Sequence, residues 1–407
     1  MDILDNDIEV DNNNEAMEAI NGDKRHRRSK RSAEYRSWDL YVYTIAMFVN
    51  HFAYGVNYGI SGPTLVDLRY MLNTTMNLIS ISLVINNIGY LSGALFGLLY
   101  KYINRQLTVV VIMAAMAASV ALIPYCPNLW ILYLFQYANG LGAGIWDTAN
   151  NVWLIEMWPQ NSSPVLQFSQ FMYGLGSVFG PIIVKPYLTG ETNHTLAIEL
   201  SDFGDMTSTP SAPVDRRALL RTPYLISGIL QGFIPIVFLI MYFVKQYKSP
   251  DQRLKRKDSS ESLLSDDLDD RDDGAVRSSQ IEDNCLESTY SPRKRLALIA
   301  LFSLFIAIYA SLEIAHFSYS STYYQYMELK ISAKTAAEIL SVMSTSYTVG
   351  RCLSAFIAIK VGPQVMIIYH LLIIIAGMAV LYYGSHILAL IWIGNIILGI
   401  LSLKIIF

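Results

Sequence analysis

The sequence predicts an all-α polytopic membrane protein, built as two helix bundles joined by a charged linker. Apolar residues make up 53% of the 407 residues and charged residues 15%, whereas soluble domains carry about 25% charged residues. The charges gather in residues 1–37, 189–221 and 245–295. Between them lie apolar runs of about 20 residues, the length that crosses about 30 Å of hydrocarbon.

Ten such runs follow one another, and we expect each to be a membrane-spanning helix. Spans 1 to 6 are predicted at 40–60, 78–100, 107–125, 129–154, 164–187 and 223–244. Spans 7 to 9 are predicted at 296–318, 336–361 and 365–383, and span 10 begins near 387.

These runs divide the chain into four regions. We expect a disordered cytoplasmic tail at 1–37, an N-terminal six-helix bundle at 38–246, a charged cytoplasmic linker at 247–294 and a C-terminal bundle of spans 7–10 at 295–407. Residues 97–104 and 355–362 each end a span and enter a short loop. This match suggests two parallel repeats of six spans, so we expect about ten of twelve spans and a C-terminally truncated chain.

Lysine and arginine orient the chain in the membrane. The basic clusters at 24–31, 101–105, 245–257 and 293–295 fall on one side, which the positive-inside rule assigns to the cytoplasm. Asn73 and Asn193 begin glycosylation sequons on the other side. We therefore expect a monomeric, multi-pass plasma-membrane glycoprotein in the lipid bilayer, with a cytoplasmic N-terminus and no nucleic-acid partner.

Span 4 carries the strongest candidate site, in the run GLGAGIWDTANNVWLIEMW at 140–158. A charged residue such as Asp147 costs roughly 2.5–3.5 kcal/mol at the centre of a membrane helix, so it indicates a function. Asn150 and Asn151 lie three and four residues further on, on the same helix face. As a binding site, Asp147 suits a cation or a sugar hydroxyl, and the two amides suit the hydroxyls of a solute. The alternative is a polar clasp between helices, worth about 0.6 kcal/mol per hydrogen bond.

Other polar residues within spans are further candidates for solute binding. Glu313 and His316 lie three residues apart on span 7, and Arg351 on span 8 is predicted to pair with Glu313, either for gating or only to lock the fold. The amides of Gln167 and Gln170 on span 5 and of Asn57 on span 1 both donate and accept hydrogen bonds, which suits sugar hydroxyls.

Several classes of protein are excluded by what the sequence lacks. It contains no phosphate-binding Gly-rich loop, no paired-histidine metal spacing and no nucleophile elbow. Three cysteines suggest no disulfide framework. We expect neither an enzyme nor an ATP-driven pump, and no cofactor.

In the motifs of two of its spans and loops, the chain resembles the major facilitator superfamily. The loop after span 2 keeps Gly97 and Arg105 of that family's signature, although Lys101 stands where the family has an acid. Lys101 and Arg105 are both cationic and are candidate gating or ion-pair residues, but Lys101 cannot supply the acid of the family's gating salt bridge. Gly176-x-x-x-Gly180-Pro181 resembles the family's span 5 motif.

Within that superfamily, the chain is most similar to the sodium-dependent glucose transporter branch. The resemblance rests on short motifs at 62–68, 89–93, 147–152 and 350–351, together with Gln167 and Glu313. It implies secondary transport of a small polar solute, most simply a hexose such as glucose, by alternating access and by symport with sodium ion. The alternative is a truncated non-transporting isoform, or a membrane interaction protein that binds partners through its linker.

Overall fold

The computed structural model describes residues 40–96, 104–159, 161–191, 215–244, 292–357 and 363–400. The predicted tail at 1–37, Lys101, Asn193 and nearly all of the linker at 247–294 lie outside the described residues. Within them the secondary structure is entirely helical.

Eleven α-helices make up this part of the chain. In order they are α1 (residues 40–61), α2 (Leu65–Met71), α3 (Met76–Phe96), α4 (Arg105–Leu122), α5 (Leu129–Met157), α6 (Ser162–Val184), α7 (Arg216–Val244), α8 (Pro292–Tyr326), α9 (Ala333–Ile357), α10 (Pro363–Tyr383) and α11 (Leu388–Ile400). All but the short α2 overlap one of the ten predicted spans.

Judged by length and composition alone, four of the described helices are long and apolar enough to cross a membrane. Among the described residues these are Met76–Phe96, Arg105–Tyr125, Arg216–Val244 and Leu296–Tyr326, with two shorter apolar helices at Ile368–Tyr383 and Leu388–Ile400. Polar side chains lower the mean hydropathy of the others. In α5, for example, the buried Gln136 and Asn139 interrupt an otherwise apolar run.

The packing of α3 against α5 depends on glycine. A Cβ atom added to Gly140 would overlap the carbonyl oxygen of Asn86, and one added to Gly144 would overlap that of Tyr90. Only glycine allows two backbones to approach this closely. The approach places Tyr90 of α3 beside the middle of α5, where Asp147 lies.

The two halves of the chain repeat the same helix pairings. In the first half α5 packs on both α3 and α4, and in the second half α11 packs on both α9 and α10. These pairs correspond when the halves are aligned span by span, as in transporters built from parallel repeats. The contact of α6 with α9 joins the halves.

Ion pairs and hydrogen bonds join the halves at one end of the molecule, which we call the Gly62 end; it comprises residues 62–75, 123–128, 185–191 and 326–338. Lys185 of the first half forms an ion pair with Glu338 of the second. The Tyr326 hydroxyl donates to the carboxylate of Glu191, which also pairs with Arg69. At the opposite end, which we call the Arg105 end, the Arg105–Glu156 ion pair at 2.7 Å lies within the first half.

A buried aspartate holds the segment that carries Glu191. Asp67 accepts hydrogen bonds from the backbone N–H of Gly190 at 3.1 Å and from Arg216 Nη1 at 2.6 Å. Burial raises the pKa of the Asp67 carboxyl, and the Arg216 guanidinium opposes that rise. Asp67 and Arg216 thereby position residues 188–191 against the second half.

Candidate solute-binding cavity

A cavity of about 260 Å³ lies between the two halves. Its walls are mainly aromatic and aliphatic, with a few polar groups, as in most small-molecule sites. The first half contributes His51, Tyr54, Tyr58, Asn86, Asn87, Tyr90, Asp147, Gln170 and Tyr173. The second half contributes Phe305, Tyr309, Ala310, Glu313, Ile314, Phe317, Tyr347, His370, Leu371 and Ile374.

Asp147 forms the acidic centre of the first wall. The Tyr90 hydroxyl donates to Asp147 Oδ2 at 2.6 Å. His51 Nε2 lies 4.0 Å from Asp147 Oδ1, and the Asp147 side chain remains 15% exposed. A carboxylate inside the bundle is thus held at the cavity surface.

The orientation of His51 is set by a neighbour on α5. Trp146 Nε1 lies 3.3 Å from His51 Nδ1 and can only donate, so Nδ1 is the acceptor. In the neutral ring the proton is then on Nε2, which faces Asp147. His51 therefore directs an N–H group, rather than a lone pair, towards the carboxylate.

Glu313 forms a second acidic centre, on the opposite wall. The Tyr347 hydroxyl donates to Glu313 Oε1 at 2.6 Å. Arg351 Nη2 lies 3.9 Å from the same oxygen and donates to the Tyr347 hydroxyl. Arg351 Nη1 also donates to Gln170 Oε1 of the first half, at 3.1 Å. This network crosses from one half to the other.

A row of aromatic rings connects the two walls. The centroids of Tyr54 and Tyr173 lie 5.3 Å apart, and those of Tyr173 and Tyr58 lie 6.0 Å apart. Phe317 continues the row at 6.1 Å from Tyr58 and 5.4 Å from Tyr347. These spacings are typical of stabilising aromatic pairs, and the row provides flat apolar surface beside the polar groups.

Three of the predicted binding residues meet in this cavity, namely Asp147, Gln170 and Glu313. The structure places the other five outside the cavity lining. Asn57 donates to Asn139, and Asn150 donates to Ser169 between α5 and α6. His316 contacts Asn395 within the second half, and Asn151 and Gln167 are half-buried.

The predicted ion-pair and glycosylation residues that the structure describes lie outside the cavity lining. Arg105 pairs with Glu156, whereas Arg351 is the residue that approaches Glu313, as predicted. Asn73 is exposed in the turn after α2, with φ of 48°. Exposure of this kind suits a glycosylation acceptor.

Sequence reasoning missed several polar residues of the cavity. Asn86 and Asn87 are adjacent amides inside the apolar run of α3, a signal of the same kind as Asp147 in α5. Tyr54 on α1 and Tyr90 on α3 also line the cavity. Tyrosine is common at membrane interfaces as well, so its presence alone did not point to the cavity.

The fold and the cavity define a membrane transporter: two helical halves related by a repeat, with a polar site between them. The chain matches the model of the Major Facilitator Superfamily over residues 47–406. It belongs to that family of integral, multi-pass membrane proteins, whose members are transporters rather than enzymes.

Two relatives with similar sequences are named for sugar transport. The chain is 26% identical to sodium-dependent glucose transporter 1A of Mus musculus, over 79% of this chain and 70% of that protein. It is 24% identical to sodium-dependent glucose transporter 1 of Homo sapiens, over 77% of this chain and 56% of that protein. The resemblance predicted from the motifs is thereby confirmed. The matched part of this chain spans little more than half of the human relative.

A similar fold is found in a solved transporter structure. The partially occluded, inward-open xylose transporter XylE from E. coli superposes with a TM-score of 0.61 at 11% identity, over 89% of this chain and 83% of that one. At this identity the similarity establishes the fold alone.

Proposed function

We propose that this protein is a secondary transporter that moves a hexose across the membrane by alternating access, coupled to the entry of sodium. The observation that carries the proposal is the cavity between the halves, which brings Asp147, Gln170 and Glu313 together beside a row of aromatic rings. The names of the relatives support the choice of sugar and of sodium.

The lining of the cavity suits a neutral, polyhydroxylated solute. Gln170, Asn86 and Asn87 supply amides that donate and accept, and Glu313 supplies an acceptor for solute hydroxyls. Tyr58 and Tyr173 offer ring faces against which the apolar face of a pyranose packs. A few polar groups for orientation within an apolar wall are the usual basis of specificity in such sites.

Asp147 is the proposed site of the coupling ion. Sodium binds oxygen ligands; the Asp147 carboxylate accepts a hydrogen bond from the Tyr90 hydroxyl, and Asn86 and Asn87 line the same cavity. A carboxylate within a membrane bundle usually marks an ion pathway. The experiment below distinguishes coupling to sodium from coupling to protons.

In the predicted topology of ten spans, the Gly62 end lies outside the plasma membrane and the Arg105 end lies in the cytoplasm. The ion pairs and hydrogen bonds between halves at the Gly62 end then close the outer side. In the same topology Asn73 is an external glycosylation acceptor.

Uptake of labelled D-glucose by cells or proteoliposomes that contain the full chain tests this proposal. We expect uptake that requires a sodium gradient and that is lost in Asp147→Ala. The matched control is Glu328→Ala, because that carboxylate is 80% exposed and lies outside the cavity. Glucose uptake that follows a proton gradient without sodium would show that the coupling ion is the proton. The absence of glucose uptake would refute the proposed substrate.

A further inference from the structure

Arg351 is buried behind the cavity rather than in its lining. It lies on α9, one turn after Tyr347, and only 7% of its surface is exposed. Its Nε atom is buried without a hydrogen-bond partner among the described residues. Such a donor costs about 1–3 kcal/mol of stability, which a side chain kept only for packing would avoid.

One arm of the Arg351 guanidinium fixes the Gln170 amide. Arg351 Nη1 donates to Gln170 Oε1 at 3.1 Å and to the Gln170 backbone oxygen at 3.3 Å. Because a guanidinium has donors only, the amide atom that faces it must be the oxygen. The Gln170 NH₂ group is therefore at the other end of an amide that lines the cavity, where it is a donor for a solute oxygen.

The other arm fixes the hydrogen bond that holds Glu313. Arg351 Nη2 donates to the Tyr347 hydroxyl, and its guanidinium carbon lies 4.1 Å from the centroid of the Tyr347 ring. With its oxygen accepting from Arg351, the Tyr347 hydroxyl gives its proton to Glu313 at 2.6 Å. Glu313 keeps further acceptor positions for a solute hydroxyl.

From this arrangement we infer that Arg351 is a positioning residue for solute recognition. It presents Gln170 of the first half as a donor and Glu313 of the second half as an acceptor, so that one solute contacts both halves. This inference rests on the proposed function and names the residue that sets its hydrogen-bond pattern. The 3.9 Å separation of Arg351 and Glu313, with the Tyr347 hydroxyl bonded to both, distinguishes this network from a simple ion pair that locks the fold.

The test is a double-mutant cycle of Arg351→Gln and Gln170→Ala, measured as the glucose concentration dependence of uptake. We expect each single variant to raise KM about tenfold, the effect of losing about 1.4 kcal/mol of binding, at an unchanged ratio of uptake with and without sodium. Because Arg351 acts through Gln170, the double variant should show much less than the product of the two effects. Arg351→Lys keeps the charge but not the two-armed geometry, and we expect an intermediate KM.

The control is Arg221→Gln, since Arg221 is exposed next to Tyr125 of the Gly62 end and lies outside the cavity lining. Its KM should equal that of the unmodified protein. A normal KM in Arg351→Gln, or multiplicative effects in the double variant, would overturn the inference while leaving glucose transport established. A loss of maximal rate and surface expression with unchanged KM would likewise assign Arg351 to the fold alone. Failure of the unmodified protein to transport glucose would overturn both proposals.

Discussion

The two acidic centres of the cavity have nearly the same geometry but different neighbours. Asp147 and Glu313 each accept a hydrogen bond from a tyrosine hydroxyl at 2.6 Å. Each also has a basic group close by: His51 Nε2 lies 4.0 Å from Asp147, and Arg351 Nη2 lies 3.9 Å from Glu313. The chemistry of the basic group is what separates them.

That difference suggests a division of roles between the walls. A guanidinium is always charged, so the charge of Glu313 is balanced permanently by Arg351. An imidazole is charged only when it is protonated, so His51 provides no permanent counter-charge for Asp147. We therefore assign cation coupling to Asp147 and recognition of the neutral solute to Glu313, and the following predictions test that assignment.

The largest effect is expected for Asp147→Asn, which removes the charge and keeps the size. Uptake driven by sodium should fall roughly 100-fold, since a hydrogen-bonded charged contact contributes up to about 3 kcal/mol. The measurement is initial uptake of D-glucose against sodium concentration, normalised to protein at the cell surface. If sodium still stimulated glucose uptake in this variant, the role assigned to Asp147 would be refuted.

The corresponding change on the other wall, Glu313→Gln, should leave coupling intact. We expect the KM for glucose to rise by about tenfold through loss of a charged acceptor. The ratio of uptake with and without sodium should not change. An altered sodium requirement in Glu313→Gln would show that the two walls do not divide the roles as assigned.

Removing the two tyrosine hydroxyls should have smaller, wall-specific effects. Tyr90→Phe should weaken the apparent affinity for sodium and Tyr347→Phe that for glucose, each by roughly fivefold, because each loses the hydrogen bond from its hydroxyl to the acidic centre, worth about 1 kcal/mol. Titration of sodium and of glucose in both variants provides the comparison. Exchange of the two phenotypes would contradict the assignment.

The smallest effect is expected for His51→Gln, which keeps an acceptor for Trp146 and removes a group that can carry positive charge. Less competition for Asp147 should strengthen the apparent sodium affinity by about threefold, or about 0.7 kcal/mol. Weaker sodium affinity would instead identify the His51 N–H as a group that holds the carboxylate in place.

The helices could be predicted from the sequence, because runs of about 20 apolar residues interrupted by polar loops indicate helices in a bilayer. Asp147, Gln170 and Glu313 could be identified for the same reason, as polar groups within such runs. The placement of Asn150 in contact with Ser169 could not, since spacing along a helix gives relative angles but not the rotation of the helix against its neighbours. Three residues along a helix already turn a side chain by about 60° from its starting face.

The network around Arg351 also lay beyond the sequence. An arginine in a span predicts an acidic partner, and Arg351 Nη2 lies 3.9 Å from Glu313. That a tyrosine stands between them, and that the guanidinium also reaches Gln170 some 181 residues away in the other half, depends on how α6 packs against α9. Such long-range contacts are set by tertiary packing, and local patterns do not encode them.

The most direct test of the central claim is sodium entry driven by glucose in proteoliposomes. Radioactive sodium is followed after addition of saturating D-glucose, for the unmodified protein, Glu313→Gln and Asp147→Asn. The division of roles predicts glucose-dependent sodium entry in the first two and none in Asp147→Asn. Sodium entry that persists in Asp147→Asn, or that is lost in Glu313→Gln at saturating glucose, would contradict it.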